Sequence, residues 1–372
     1  MSVGTQLRFI NDFHIFNFRC FEELALSGLG QVNLVVGKNG VGKSTLLEAL
    51  QVYVEDDKYA ALESVASRRG EAWRTLDSAA AILTHFHKEP QVGSEIIVGP
   101  KGAPLRFRAL RFGERTGTDG YWHFEPVRGD TASVEKEIAA SGLPWGLEYE
   151  VPGKEARWFV VGPPSRVPPR LPPLGEASDS KAIGNVHVEA DGLRAKALAT
   201  LWDQIVLSDR EQDAISLLQS VFPSAERVSM IGQPAFPTSS TNRRPFVKMS
   251  GLREPVPIER LGGGAARLLG IAIALVNAQG GLLLIDEFEN GLHYSIHDQV
   301  WDFVFDACRR MNVQAFLTTH SLDCVRAFSR ASARSEAIGS LIRLERKGGK
   351  IKAVQVDEKT LEIAERNEVE LR

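Results

Sequence analysis

Gly37-Lys38-Asn39-Gly40-Val41-Gly42-Lys43-Ser44 is the stretch that decides how this chain is read. It satisfies GxxxxGK[ST], directly follows the apolar run QVNLVV (Gln31 to Val36), and leads into Ser44 to Val54, which has helical periodicity. Strand, glycine-rich loop and helix in that order form the setting of a phosphate-binding P-loop, which a plain glycine-rich turn does not require. The glycines let the amides of Asn39, Gly40, Val41 and Gly42 turn toward one centre. The helix N-terminus adds its positive dipole, so phosphate is held without special side chains. Lys43 is then expected to reach the β- and γ-phosphates, the Ser44 hydroxyl to ligate magnesium, and Thr45 to lie beside them.

Two later segments complete the pattern. Leu282 to Glu287 (LLLIDE) reads as a strand buried on both faces, with Asp286 emerging at its carboxyl end, where ligands sit in parallel sheets. A buried strand ending in two acids is common by itself. Beside a P-loop it predicts Asp286 as the magnesium holder, directly or through water, and Glu287 as the group that orients and deprotonates the attacking water. Phe316 to Ser321 (FLTTHS) brings His320 to the same edge, where an imidazole can hydrogen-bond a γ-phosphate. A lone histidine is more often structural, so this assignment leans on the family pattern described below.

Working outward, Phe9 to Phe18 reads as a strand, and SEIIV from Ser94, LRFRALRF from Leu105 and ARWFVV from Ala156 read as an antiparallel lobe. A helical patch is expected around 57–81. PPSRVPPRLPP (163–173) reads as an exposed loop or linker rather than a recognition peptide, because proline lacks the amide donor. Helices are expected over Leu193 to Leu207 and from Asp209, as N-cap, to about Phe222. The last third alternates: a glycine turn at 262–264, a helix to Ala278, strand LLLID, a helix from about Ser295 to Met311, strand QAFLTT and a helix from Ser321. That alternation argues an α/β fold with a parallel or mixed core sheet. One domain with three parts is expected: 1–162, P-loop and antiparallel β lobe; 163–258, Pro-rich loop and helical insert; 259–372, the lobe carrying the acids and His320.

The chain has 372 residues, is 43% hydrophobic and 24% charged, and carries a net charge of −3, so no overall basic field marks nucleic acid or anionic membrane as a partner. Arg106, Arg108, Arg111 and Arg115, with Arg243, Arg244 and Lys248, are explained by a solvated strand edge at least as well as by a phosphate track. Three scattered cysteines without CxxC spacing read as free thiols rather than disulfides or zinc ligands. No signal peptide is evident, and the longest apolar stretch, Leu268 to Val276, is too short to span a bilayer. A cytoplasmic protein is expected.

Arg260-Leu261-Gly262-Gly263-Gly264-Ala265, then LLLIDEFENGLH, then FLTTHS, resembles the ABC ATPase series of signature loop, Walker B with catalytic glutamate, D-loop and switch histidine. NFRCFEEL (Asn17 to Leu24), GKNGVGKSTLLEAL and IDEFENGLHYSIHDQVW resemble the stand-alone ABC-type ATPases related to the OLD proteins, kin to the heads of RecF and SMC proteins. The resemblance implies an ABC-ATPase head fold, ATP and magnesium as ligands, and two subunits sandwiching two nucleotides. Gly262, Gly263 and Gly264 would then face the partner's γ-phosphate, and Asn290, Gly291, Leu292 and His293 would form the D-loop across the interface. Two departures stand out. Gly262 replaces the usual serine of the signature, and Gln91 is the one candidate for a Q-loop glutamine, so slow or partner-activated turnover is expected. The adenine-stacking ring is open among Phe13, Phe16, Phe18 and Phe21, and Arg19 is a candidate nucleotide contact.

The resemblance implies a homodimer, or a higher even-numbered oligomer, whose closure gates a separate nuclease-type effector in antiphage defence. Only about fifty residues follow His320, too few for the TOPRIM nuclease that OLD proteins carry. A RecF/SMC-like DNA ATPase is the alternative, with nucleic acid then a ligand. A transporter subunit, or a scaffold without hydrolysis, fits the motifs less well.

Overall fold

The P-loop strand lies inside a mixed six-stranded sheet. In the computed structural model this sheet has the order β16 (Lys350–Val356), β15 (Gly339–Lys347), β3 (Val32–Val36), β14 (Gln314–Thr318), β13 (Leu282–Ile285), β9 (Asn185–Val188). All neighbours are parallel except the β15–β16 hairpin. The structure describes residues 10–71, 84–88, 91–116, 122–126, 145–161, 184–232 and 243–356.

β3, β13 and β14 are buried throughout, as expected for strands covered on both faces. Alternate residues feed two cores. Leu282, Leu284 and Phe316 join the core that also holds the N-terminal lobe, whereas Leu283, Ile285, Ala315 and Leu317 join the core under the C-terminal helices. Some polar side chains in this sheet are bonded across it, whereas the His187 ring on β9 has no hydrogen-bond partner among the described residues. Buried Gln314 exchanges hydrogen bonds with the Ile10 main chain and donates to Gly30 O, tying β14 to the chain start.

Helix α1 (Lys43–Val54) follows the P-loop and packs between the core sheet and a seven-stranded antiparallel sheet. That second sheet has the order β2 (Phe21–Ser27), β1 (Asp12–Phe18), β4 (Glu95–Gly99), β5 (Leu105–Thr116), β7 (Trp145–Glu150), β8 (Arg157–Val161), with β6 (Trp122–Pro126) also on β5. The antiparallel lobe is therefore present, and β2, β6 and β7 add to the strands read from sequence. Helix α2 (Lys58–Arg68) realises the start of the helical patch at 57–81; the end of that patch lies outside the described residues.

Within 163–258 the chain does more than supply helices. β9 forms the edge of the core sheet, and β10 (Ala225–Gly232), β11 (Arg243–Met249) and β12 (Val256–Pro257) form a small antiparallel sheet. The two expected helices are α3 (Ala195–Asp203) and α4 (Asp209–Val221). Asp209 is not the cap of α4. Ser208 occupies that position, its hydroxyl turned back to Ile205 O at 2.5 Å, and Asp209 is the first helical residue. The Pro-rich stretch 163–173 and the residues after Val356 lie outside the described residues. Helices α5 (Gly263–Asn277), α6 (His297–Met311) and α7 (Leu322–Arg334) complete the alternation read from the last third. Among the described residues no helix is long and apolar enough to cross a membrane.

Candidate active site

Parallel pairing brings the carboxyl ends of β3, β14 and β13 to one edge, so three segments far apart in sequence meet there. Between β3 and α1 the P-loop turns through positive φ at Gly40 (72°) and Gly42 (101°). At Gly42 any side chain is also excluded by space, since a Cβ would lie 2.7 Å from Cys20 Sγ. Buried Lys43 donates to Gly37 O at 2.8 Å and Lys38 O at 3.3 Å, and its Nζ lies 3.3 Å from His320 Nδ1. Burial lowers the Lys43 ammonium pKa, opposed in part by the nearby charges of Asp286, Glu287 and Glu289.

A cleft of about 960 Å³ opens here, lined among others by Asn39, Gly40, Lys43, Ser44, Glu287 and His320. Val41 turns inward and is buried, and Thr45 is largely buried in the cleft wall, where its Oγ1 accepts from Arg69 at 3.0 Å. Main-chain amides around two left-handed glycines, an exposed serine hydroxyl and a buried lysine together suit a triphosphate and magnesium.

The acids are held by β14. The Thr318 hydroxyl donates to Asp286 Oδ1 at 2.5 Å and accepts from Glu287 N at 2.8 Å. Glu287 itself stands at φ 46°, an uncommon conformation for a non-glycine residue. Its Oε1 is 3.6 Å from His320 Nε2, and its Oε2 accepts from Asn290 Nδ2 at 2.6 Å. Lys43, Glu287 and His320 thus form one cluster, as the motifs predict, with Asp286 just behind it.

The signature turn lies elsewhere in the chain. Gly262 (φ 97°) precedes α5, and Gly263 and Asn290 border a second cleft of about 690 Å³ together with Gly291 and Arg267. None of Gly262, Gly263 and Gly264 lines the P-loop cleft. A Cβ on Gly264 would lie 2.9 Å from Gly291 O of its own D-loop, whereas Gly262 and Gly263 have nothing within 4 Å of such an atom.

Several candidates fall away. Gln91 sits in the turn before β4, its amide bonded to Ser94, and does not line the cleft. Phe13, Phe18 and Phe21 are core residues, and Phe16 lies on the antiparallel sheet between Glu23 and Ile97; none of the four lines the cleft. Arg19 is buried and pairs with Glu71 at 2.9 Å and Glu48 at 3.5 Å. Arg106 and Arg108 pair with Glu95, Arg108 also with Glu148, and Arg243 with Asp203, so these three described arginines are not free cations. Cys308 and Cys324 are buried free thiols, pushed up to about 12, and Cys20 is a half-buried one.

Sequence reasoning missed four residues that shape the site. Arg267, on α5, donates to Glu189 O, Asp286 O and Glu287 O, fastening the signature helix to the acidic strand end. Thr318 holds the acids and Glu289 the histidine segment. Arg69, just after α2, lines the cleft and binds Glu48 and Thr45. All four act through tertiary contacts, which no local spacing announces.

Comparisons with known proteins point to the same fold class. Residues 206–324 match the family model described as "AAA domain, putative AbiEii toxin, Type IV TA system", and residues 9–90 match the one described as "AAA ATPase domain". An "ATP/GTP phosphatase" of Helicobacter pylori is 32% identical over 342 residues, spanning 85% of this chain and 86% of that protein. An uncharacterized protein of Methanocaldococcus jannaschii is 37% identical over 79 residues, 21% of this chain and 36% of that protein's length.

Among solved structures, an SMC head bound to the C-winged helix domain of ScpA matches with a TM-score of 0.50 and 14% identity, over 94% of this chain and 98% of that one. An SMC head with an extended coiled coil, bound to the C-terminal domain of ScpA derived from Pyrococcus furiosus, matches with a TM-score of 0.50 and 12% identity, over 97% and 99%. These structures speak for the fold, an α/β P-loop head of the ABC and SMC type. This chain belongs to the same family of AAA-type P-loop ATPases as the Helicobacter pylori ATP/GTP phosphatase.

Proposed function

We propose that this chain binds ATP with magnesium, closes as a homodimer around two nucleotides and hydrolyses them, slowly or on activation by a partner. Closure gates a separate effector of nuclease type, in antiphage defence. The observation that carries the hydrolytic reading is the convergence of Lys43, Glu287 and His320 within 3.6 Å contacts in one cleft. The trans arrangement is supported by the signature turn and Asn290 bordering a different cleft from the P-loop.

On this reading the P-loop amides and Lys43 bind the phosphates. Ser44 and Asp286 would hold magnesium, which neutralises charge on the phosphate oxygens. Glu287 takes a proton from the attacking water as that oxygen bonds to the γ-phosphorus and the bond to the bridging oxygen breaks. His320 hydrogen-bonds the γ-phosphate oxygens. Asn290, by holding Oε2 of Glu287, leaves Oε1 facing His320 and the cleft. One half-site cannot surround the triphosphate, so hydrolysis waits for a second copy to present its signature turn, and ATP binding favours the closed dimer by linkage.

The effector and its defence role rest on the OLD-like motifs and on a family model described through a type IV toxin–antitoxin system. A RecF/SMC-like ATPase acting on DNA has equal support from the head fold. Salt-sensitive binding to duplex DNA favours that second reading, and co-purification with a neighbouring gene's product the first. The test of the hydrolytic core is Glu287→Gln. ATP turnover should fall to near background while ATP remains bound and dimer accumulates; unchanged turnover would remove Glu287 from the role of base.

A further inference from the structure

Glu289 follows the proposed base by two residues and has no part in the chemistry derived above. Its Oε1 accepts from His320 N at 2.8 Å and from Ser321 N at 3.1 Å. Ser321 is the N-cap of α7, and its own hydroxyl accepts from Cys324 N, so Glu289 places a carboxylate on the free amides that precede that helix. Thr319 Oγ1 shares the Ser321 amide at 3.0 Å, but the His320 amide goes to Glu289. Glu289 Oε2 is buried, and among the described residues it has no hydrogen-bond partner. Burying a carboxylate costs free energy unless hydrogen bonds offset it, and here the two main-chain amides on Oε1 supply them.

The consequence is geometric. His320 makes two side-chain approaches, to Lys43 and to Glu287, and both depend on where its main chain leaves β14. β14 ends at Thr318, so between strand and helix only Thr319, His320 and Ser321 carry the turn. Glu289 clasps the centre of that turn from the β13 side, and Thr318 clasps β13 from the β14 side. The two strand ends are cross-linked in both directions.

We propose that Glu289 is a positioning residue for hydrolysis, fixing the imidazole of His320 against the γ-phosphate site through the amides of His320 and Ser321. This deepens the proposed ATPase reading and rests on it. Removal of the carboxylate frees the turn, so the effect falls on the chemical step rather than on nucleotide capture, which the P-loop performs. Glu289→Ala and the similarly long, uncharged Glu289→Met remove the acceptor, whereas Glu289→Gln keeps an amide oxygen at the same reach.

The experiment measures kcat, KM for ATP and affinity for a fluorescent ATP analogue in these variants, in His320→Ala, and in the double variant Glu289→Met with His320→Ala. Wild type and Lys43→Ala are run beside them. In Glu289→Ala and Glu289→Met, kcat should fall about tenfold or more, with KM and analogue affinity within about threefold, and Glu289→Gln should recover most of the loss. The double variant should be little slower than His320→Ala, because both changes remove one function. Wild-type kcat in Glu289→Met, or fully multiplicative losses in the double variant, would overturn the proposal while leaving the ATPase reading intact. No turnover in wild type, or equal turnover in Lys43→Ala, would overturn the ATPase reading and this proposal with it. If Glu289→Ala does not fold, Glu289→Met carries the comparison.

Discussion

Replacing Thr318 by valine tests how the acidic strand end is held. Thr318 is fully buried, and its hydroxyl both accepts from Glu287 N and donates to Asp286 Oδ1. Valine keeps the volume, so no cavity term enters. The stranded Glu287 amide costs about 1–3 kcal/mol, and the lost hydrogen bond to a charged carboxylate about 1.5–3 kcal/mol. Asp286 is half-buried and recovers part of this from water, so the net destabilisation is about 2–4 kcal/mol. Chemical denaturation should show the midpoint falling by that free energy divided by the slope, with the slope unchanged. ATP turnover should fall as well, because Glu287 at φ 46° loses the bond that fixes its amide. Thr318→Ser retains both bonds and should recover most of each effect. A Thr318→Val protein within about 0.5 kcal/mol of wild type, with full turnover, would refute the reasoning, since that is the range of substitutions that disturb nothing.

Other perturbations follow from the same geometry. Lys43→Ala should abolish ATP-analogue binding, and Gly263→Trp should abolish turnover by blocking the signature turn; mixed one to one, the two inactive proteins should regain about a quarter of wild-type activity through a single composite site in each heterodimer. No recovery would count against a shared site. Gly264→Trp is the poorer choice for that experiment, because its Cβ meets Gly291 O, so its Tm should fall below that of Gly263→Trp. His187, half-buried on β9 with both ring nitrogens shut off from solvent and no hydrogen-bond partner for them among the described residues, has its pKa lowered to about 4 by desolvation, with Arg68 adding to the effect. The unfolded chain therefore binds the extra proton first. Stability is complete above the ordinary value of 6.5 and is lost as pH falls toward about 4, by about 3 kcal/mol in all. Denaturation curves of His187→Leu should be flatter across that window, and an identical slope would contradict the assignment.

The parts of this site that were legible in the sequence are those that local chemistry encodes. Gly40 and Gly42 mark left-handed turns after an apolar strand, and LLLI followed by two acids marks a covered strand with a functional end. The convergence of His320 was legible through the alternation of strand and helix, which places successive carboxyl ends on one edge, and its role through the family pattern. β9 escaped because Asn185-Val186-His187-Val188 is short and half polar; Asn185 Nδ2 gains a tertiary bond to Val54 O, whereas the His187 ring has no hydrogen-bond partner among the described residues. β11 contains Pro245, which reads as a strand breaker but sits in a small sheet of three strands. Ser208 rather than Asp209 precedes α4, an adjacent-residue difference that cap preference alone does not resolve, since both types are good caps. Thr318 and Glu289 lie inside the quoted motifs and Arg267 near the signature turn, but their roles arise only when β13, β14 and α5 are brought together.

The central claim is that the P-loop, the acidic end of β13 and the turn after β14 act on one triphosphate. A crystal structure of Glu287→Gln with ATP and magnesium tests it most directly. The account predicts a dimer in which Lys43 Nζ and the His320 imidazole both hydrogen-bond the same γ-phosphate, with Gly263 of the partner subunit closing over it. A γ-phosphate contacted by Lys43 but out of reach of both His320 and the substituted side chain at position 287 would contradict it.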